Sequence, residues 1–236
     1  MTTKMLIQLK DVWKTYTMGE NKLDVLKGIN LDVREGDFIA ILGPSGSGKS
    51  TLMNQVGALD TPTKGKIILA GRDIATLSES DLAKLRGQKI GFVFQQFNLI
   101  PTLTALENVT LPAIFQNMSE EQRIKRATKL LTMVGLGDRL HHKPTELSGG
   151  QQQRVAVARS LINNPGIILA DEPTGNLDSI SGKQVFAMLE KLHAEDKKTI
   201  VLITHDIHLA KTAPTIVYLK DGIIEKIEKN GKHHRP

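Results

Sequence analysis

Hydrophobic and polar positions fall into stretches of different period along the chain. Four short apolar runs, 38–42, 90–94, 167–170 and 199–204, are rich in β-branched and aromatic residues and hardly alternate. That pattern predicts parallel strands covered on both faces. Each run leads directly into a polar residue or glycine, and ligands of open α/β sheets sit beyond the carboxyl ends of such strands. Residues 6–12, 25–33 and 66–69 alternate more and predict an antiparallel sheet leaning on the core. Near the other end, Lys220-Asp221-Gly222-Ile223 lies between two apolar segments and predicts a type I′ hairpin within 216–227.

Between 95 and 165 the period becomes helical. Ser119, Glu120, Glu121 and Gln122 form a capping-box start, Ile124, Ala127, Leu130, Leu131 and Val134 follow at helical spacing, and Gly135 supplies the stop. The other face, with Arg123, Lys125, Arg126 and Lys129, reads as solvated. The expected organisation is therefore a core from 1–94 and 166–236, with 95–165 inserted as a helical lobe. There are no internal repeats, and the basic stretch 229–236 lacks apolar anchors and is expected to be disordered.

Composition changes this picture little. A chain of 236 residues with 40% hydrophobic and 24% charged positions suits one core with an inserted lobe. The absence of cysteine excludes disulfide and thiolate chemistry. Apolar runs fall far short of the roughly 20 residues a membrane helix needs, and no apolar signal region precedes 38–42, so a cytosolic location is expected. The excess of 31 basic over 25 acidic residues suits nucleotides, anionic lipid or nucleic acid without choosing among them.

The chemistry starts at Gly43, Pro44, Ser45, Gly46, Ser47, Gly48, Lys49 and Ser50, which match G-x-x-x-x-G-K-[ST] between a predicted strand and a helix opening at Thr51. Glycines there let backbone N–H groups turn toward phosphate oxygens, and the following helix adds its positive end. Lys49 is expected on the β- and γ-phosphates and Ser50 on Mg²⁺. The run 167–170 ends in two acids: Asp171 is expected to serve Mg²⁺ through water, and Glu172 to polarise the attacking water. An acidic pair after an apolar strand is by itself as often structural; with residues 43–50 it points to an ATPase. Strand alternation is expected to send the two carboxylates to opposite sides. The fold expected is thus an α/β P-loop NTPase core with a mostly parallel sheet, an N-terminal antiparallel β-subdomain and an inserted α-helical subdomain.

Leu147, Ser148, Gly149, Gly150 and Gln151 open a second helix, reaching to about Ile162, with Ser148 placed as N-cap and two glycines leaving its start bare. A second anion-binding helix end in one chain is best explained if it serves the nucleotide of another copy. Here the chain resembles the ATP-binding-cassette (ABC) family over essentially its whole length. Residues 147–151 are similar to that family's signature motif, Gln95 to its Q-loop, Asn176, Leu177 and Asp178 to its D-loop, and His205 to its switch histidine. Tyr16 falls where the family places an aromatic that stacks on adenine, although Trp13 competes for that place. Segments 91–99 and 103–109 look like the lipoprotein-releasing and macrolide-export type.

The resemblance implies ATP and Mg²⁺ as cofactors, with Ser50, Gln95 and Asp171 serving the metal and Lys49, Gln95, Glu172 and His205 the hydrolysis. It also implies a head-to-tail homodimer around two ATP molecules, and membrane permease subunits that hold the chain against the inner face of the cell membrane. Nucleic acid is not an expected partner: the repair members of the family carry a long coiled coil, and no sustained heptads occur here. A small-molecule kinase on the same loop is the other alternative, against which the signature segment argues. Phe92, Phe94 and Phe97 read as packing, and the pairs His141-His142 and His233-His234 receive no metal role. Macrolide, lipoprotein, peptide and lipid all stay open as substrates.

Overall fold

The computed structural model describes residues 4–230, so the tail with His233 and His234 lies outside the described residues. The chain folds into two compact units, one holding it up to Leu82 and again from Thr199, the other Ala83–Lys198.

The first unit opens with β1 (Met5–Met18) and β2 (Asn21–Arg34), then β3 (Phe38–Leu42), α1 (Lys49–Val56), β4 (Lys64–Leu69) and the short β5 (Arg72–Asp73). β1 and β2 outrun the predicted 6–12 and 25–33 because their polar ends pair with each other, with several register shifts along the way. The antiparallel sheet has the order β2-β1-β4-β5. It buries Ile7, Leu9, Val12, Leu26, Ile29 and Ile67 on its inner face.

Helix α2 (Glu79–Lys89) carries the chain to the second unit, which contains β6 (Ile90–Val93), α3 (Ala105–Ile114), α4 (Glu120–Met133), α5 (Gly149–Leu161), β7 (Ile167–Asp171) and α6 (Ser179–Ala194). α4 starts on the expected capping box, with Ser119 Oγ accepting from Gln122 N and Gln122 Oε1 from Ser119 N. Gly135 follows its end at φ +73. β6 and β7 pair in parallel from Ile90↔Ile167 to Val93↔Ala170. α5 buries Val155, Ala156, Val157, Ala158 and Leu161.

The chain returns to the first unit as β8 (Thr199–Thr204), α7 (Ile207–Ala210), β9 (Thr215–Lys220) and β10 (Ile223–Lys229). β3 lies between two parallel neighbours, β8 and β9, and all residues of β3 and β8 are buried, as their unbroken apolar runs require. β10 pairs antiparallel with β9, and the turn between them has Asp221 at φ +48 and Gly222 at φ +82, the two positive values of a type I′ hairpin.

Candidate functional site

In the first unit the site grows from β3. Pairing on both edges (Leu42↔Thr204 and Leu42↔Tyr218) holds its last residue firmly, and the loop of residues 43–48 springs from that stem onto α1. Gly43 tolerates no side chain: a Cβ there would lie 2.2 Å from the Leu219 carbonyl oxygen and 2.6 Å from Ser47 Oγ. Gly46, at φ +79, faces open space. Ser47 Oγ is buried without a hydrogen-bond partner, which costs free energy until an acceptor or donor arrives. Gly48 precedes α1 without any side-chain cap, so the first N–H groups of the helix have no side-chain acceptor. Lys49 Nζ donates to the carbonyls of Gly43 and Pro44, both at 2.8 Å, and its charge is thereby held over the loop. Pro44, Ser45 and Ser50 are exposed, and Thr51 is half-buried on the first turn of α1. An orphaned hydroxyl, a first loop glycine with no room for a Cβ, an uncapped helix start and a held ammonium together fit a polyphosphate.

Tyr16 stands on β1 as an exposed ring, with Lys14 Nζ 5.2 Å from its centroid and its hydroxyl 3.4 Å from Asp60 Oδ2. Lys14 itself binds Asp60 Oδ1 at 2.7 Å, so Asp60, just past α1, anchors this stretch of β1. Trp13 is engaged differently: its indole N–H donates to Asp11 at 3.0 Å and its ring lies against Gly28. His205 follows β8 directly and is exposed. Around it Asp206 N donates to Thr204 Oγ1 at 3.0 Å, and the Asp206 carboxylate caps α7 through His208 N at 2.7 Å.

In the second unit β7 stops at Asp171, and Glu172 is not extended: its φ is +43. Glu172 thus lies in a left-handed turn outside the strand, and strand alternation does not set the direction of its carboxylate. Such a backbone costs a non-glycine residue about 1–2 kcal/mol, and a following proline disfavours it further. The turn is held by Gly175 N donating to Glu172 O at 3.0 Å and by Gln153 Nε2 donating to Pro173 O at 2.7 Å.

Gln95 and Asn176, 81 positions apart, bond reciprocally: Gln95 Nε2 reaches Asn176 Oδ1 at 3.2 Å, and Asn176 Nδ2 reaches Gln95 O at 3.1 Å. Past the half-buried Leu177, Asp178 caps α6 by accepting from Ile180 N at 3.0 Å and Ser181 N at 2.9 Å. The Ser181 N–H bond, then the Ser181 hydroxyl, hold its carboxyl below the usual aspartate range.

Leu147 is buried, and Ser148 and Gln151 close a capping box at the start of α5, 3.3 Å one way and 2.8 Å the other. The two glycines differ. Gly149 has room for a Cβ, whereas at Gly150 one would meet Ser181 Oγ at 2.6 Å and Ser181 Cβ at 2.8 Å. Gly150 thus lets α5 approach α6 closely, a packing role beyond leaving the helix start bare. Phe92 and Phe94 stack at 5.5 Å as packing rings. His142 Nε2 lies 3.1 Å from Arg139 Nη1.

The profile of the ABC transporter family matches residues 26–175. The chain belongs to the ABC transporter family. It is 52% identical over 228 residues to an ABC transporter ATP-binding protein of Thermotoga maritima, covering 97% of each. It is 51% identical over 224 residues to the macrolide export ATP-binding/permease protein MacB of Bdellovibrio bacteriovorus, covering 95% of this chain and 34% of that longer protein. The fold superposes with TM-score 0.88 and 54% identity on the ATP-binding cassette MJ0796 of Methanocaldococcus jannaschii, in a dimeric post-hydrolysis state bound to ADP and Pi, over 95% of this chain and 98% of that one. The chain is thus an ABC ATPase cassette with the P-loop NTPase fold.

Three residues of the cassette escape sequence reasoning. Arg159 on α5 donates to the carbonyls of Phe97, at 2.8 Å, and Asn98, and burial lowers its guanidinium from the ordinary value without discharging it. Asn108 on α3 folds residues 100–104 around its buried amide, accepting from Ile100 N and donating to the carbonyls of Ile100, Leu103 and Thr104. Gln153 is the third. It lies in the run Gln151-Gln152-Gln153, and only its helical phase, three and four positions before the buried Ala156 and Val157, signals that it points inward.

Proposed function

We propose that this cassette hydrolyses ATP as a head-to-tail pair and thereby drives a membrane permease that exports or releases its substrate. The observation that carries the reading is the cradle of residues 43–51, with its orphaned Ser47 hydroxyl, its uncapped helix start and the Lys49 ammonium held above it. Tyr16 stacks on the adenine, and Gly43, Pro44, Ser45, Gly46, Ser47, Gly48, Lys49, Ser50 and Thr51 take the phosphates. Ser50, Gln95 and Asp171 would hold Mg²⁺, which would supply charge neutralisation at the transferring phosphoryl group. Glu172 and His205 orient the attacking water. The bond to Asn176 uses only the Gln95 Nε2 donor, which leaves its Oε1 available to the metal.

The signature residues Leu147, Ser148, Gly149, Gly150 and Gln151 bind the nucleotide held by the other copy, and Asn176, Leu177 and Asp178 line the same junction. Because the γ-phosphate favours the closed pair and ADP does not, closure follows from differential affinity. The organisation that suits this work is the core of 1–94 and 166–236 with 95–165 as the inserted lobe.

Among the described residues no helix is long and apolar enough to cross a membrane. A permease would therefore hold the cassette at the inner face of the cell membrane, and the similarity to macrolide export proteins favours export. The Glu172→Gln variant tests the reading: with ATP it should elute as a dimer on gel filtration and turn over very slowly. A variant that stays monomeric with saturating ATP sinks the paired site.

A further inference from the structure

Gln153 sits wholly buried on α5, and its Nε2 donates to Phe94 O at 3.2 Å and Pro173 O at 2.7 Å. These two carbonyls lie just past the place where β6 and β7 part. The strands pair as far as Val93↔Ala170, after which one leads to Gln95 and the other turns left-handed at Glu172. Beyond the last rung, the Gln153 amide ties the two diverging stems together. Its Oε1 has no hydrogen-bond partner, so the buried amide is a costly way to fill space; an apolar side chain of the same shape would fill it with less desolvation. What an apolar residue lacks is the pair of donors.

We infer that Gln153 is a positioning residue that sets the spacing between the Gln95 stem and the Glu172 turn and so keeps Glu172 in its left-handed backbone. The inference rests on the proposed role of Glu172. Arg159 reinforces the same helix further along by gripping Phe97 and Asn98. Gln153 stands five positions after Ser148 on one rigid helix. A shift of the signature turn is therefore carried straight to Pro173, which gives the signature segment a mechanical link to the catalytic turn of its own chain.

Gln153→Met keeps length and shape and removes both donors. Its kcat should fall about 10- to 100-fold, the scale of a misplaced catalytic group, while KM for ATP stays within about twofold. Turnover is counted per nucleotide-binding site, so partial unfolding does not imitate the effect; a lowered unfolding temperature with unchanged kcat overturns the inference. Adding Gln153→Met to Glu172→Gln should cost nothing further, and additive losses would also overturn it. If Glu172→Gln alone keeps full turnover, the reading of Glu172 fails, independently of Gln153. Should Gln153→Met not fold, Gln153→Glu decides. Its kcat relative to wild type should rise as pH falls, because a protonated carboxyl regains one donor, and a ratio flat with pH overturns the inference.

Discussion

α1 begins after Gly48, at φ +99 and with no side-chain cap, whereas α5 begins after Ser148, whose hydroxyl accepts from Gln151 N while Gln151 Oε1 accepts from Ser148 N. Every helix start leaves N–H groups in need of acceptors. α1 leaves them to something outside the chain, and the loop before it is shaped around that need, with an ammonium already in place. α5 satisfies part of the demand internally, and one of its glycines is committed to packing on Ser181. The first end is thus built to hold an anion unaided. The second is a self-sufficient helix start that gains only when another copy's nucleotide arrives, as proposed.

The largest effect should come from the unaided end. Lys49→Ala should lower turnover about 10²- to 10³-fold, as loss of one preorganised donor does elsewhere, and weaken ATP binding measured by calorimetry. Full turnover in that variant would erase the contrast. Next, Gly43→Ala should destabilise the first unit by about 1–3 kcal/mol in urea titrations, the usual cost of overpacking. Gly150→Ala should cost the second unit less, because its contacts with the Ser181 side chain, 2.6 and 2.8 Å, are looser than the 2.2 Å contact with the Leu219 backbone carbonyl.

Ser148→Ala should then cost about 1 kcal/mol through loss of its cap. A negligible cost would mean that α5 is as dependent on an outside anion as α1. The smallest effect concerns the neighbouring cap, Asp178. Its folded carboxyl titrates below the ordinary aspartate value, so its contribution is complete above that value and is lost as pH falls through the lower folded one. The stability difference between wild type and Asp178→Asn, followed by circular dichroism against pH, should shrink over that acid window and stay level above it.

Strands covered on both faces were the easiest elements to read: 38–42 and 199–204 match β3 and β8 residue for residue. α2 was missed because Glu79–Lys89 is mostly polar, with Leu82 and Leu85 its buried anchors. The hairpin at Asp221-Gly222 and the boxes at Ser119 and Ser148 were legible because each is settled by residues within one turn of each other. The left-handed Glu172 was not, since nothing local favours that backbone before a proline and the bonds that hold it include one from Gln153.

By itself, then, the sequence determined which groups stand at the strand ends, namely the loop of residues 43–50, the pair Asp171 and Glu172 and His205, and which residues, 147–151, open α5. Their chemistry depends on spacings of a few residues along a backbone whose local geometry is nearly fixed. Only the tertiary structure decided that Gln95 bonds Asn176, that Gly150 must make way for Ser181, and that Gln153 joins Phe94 to Pro173. Those partners lie 20 to 81 positions apart, and they meet only where buried apolar faces bring their elements together.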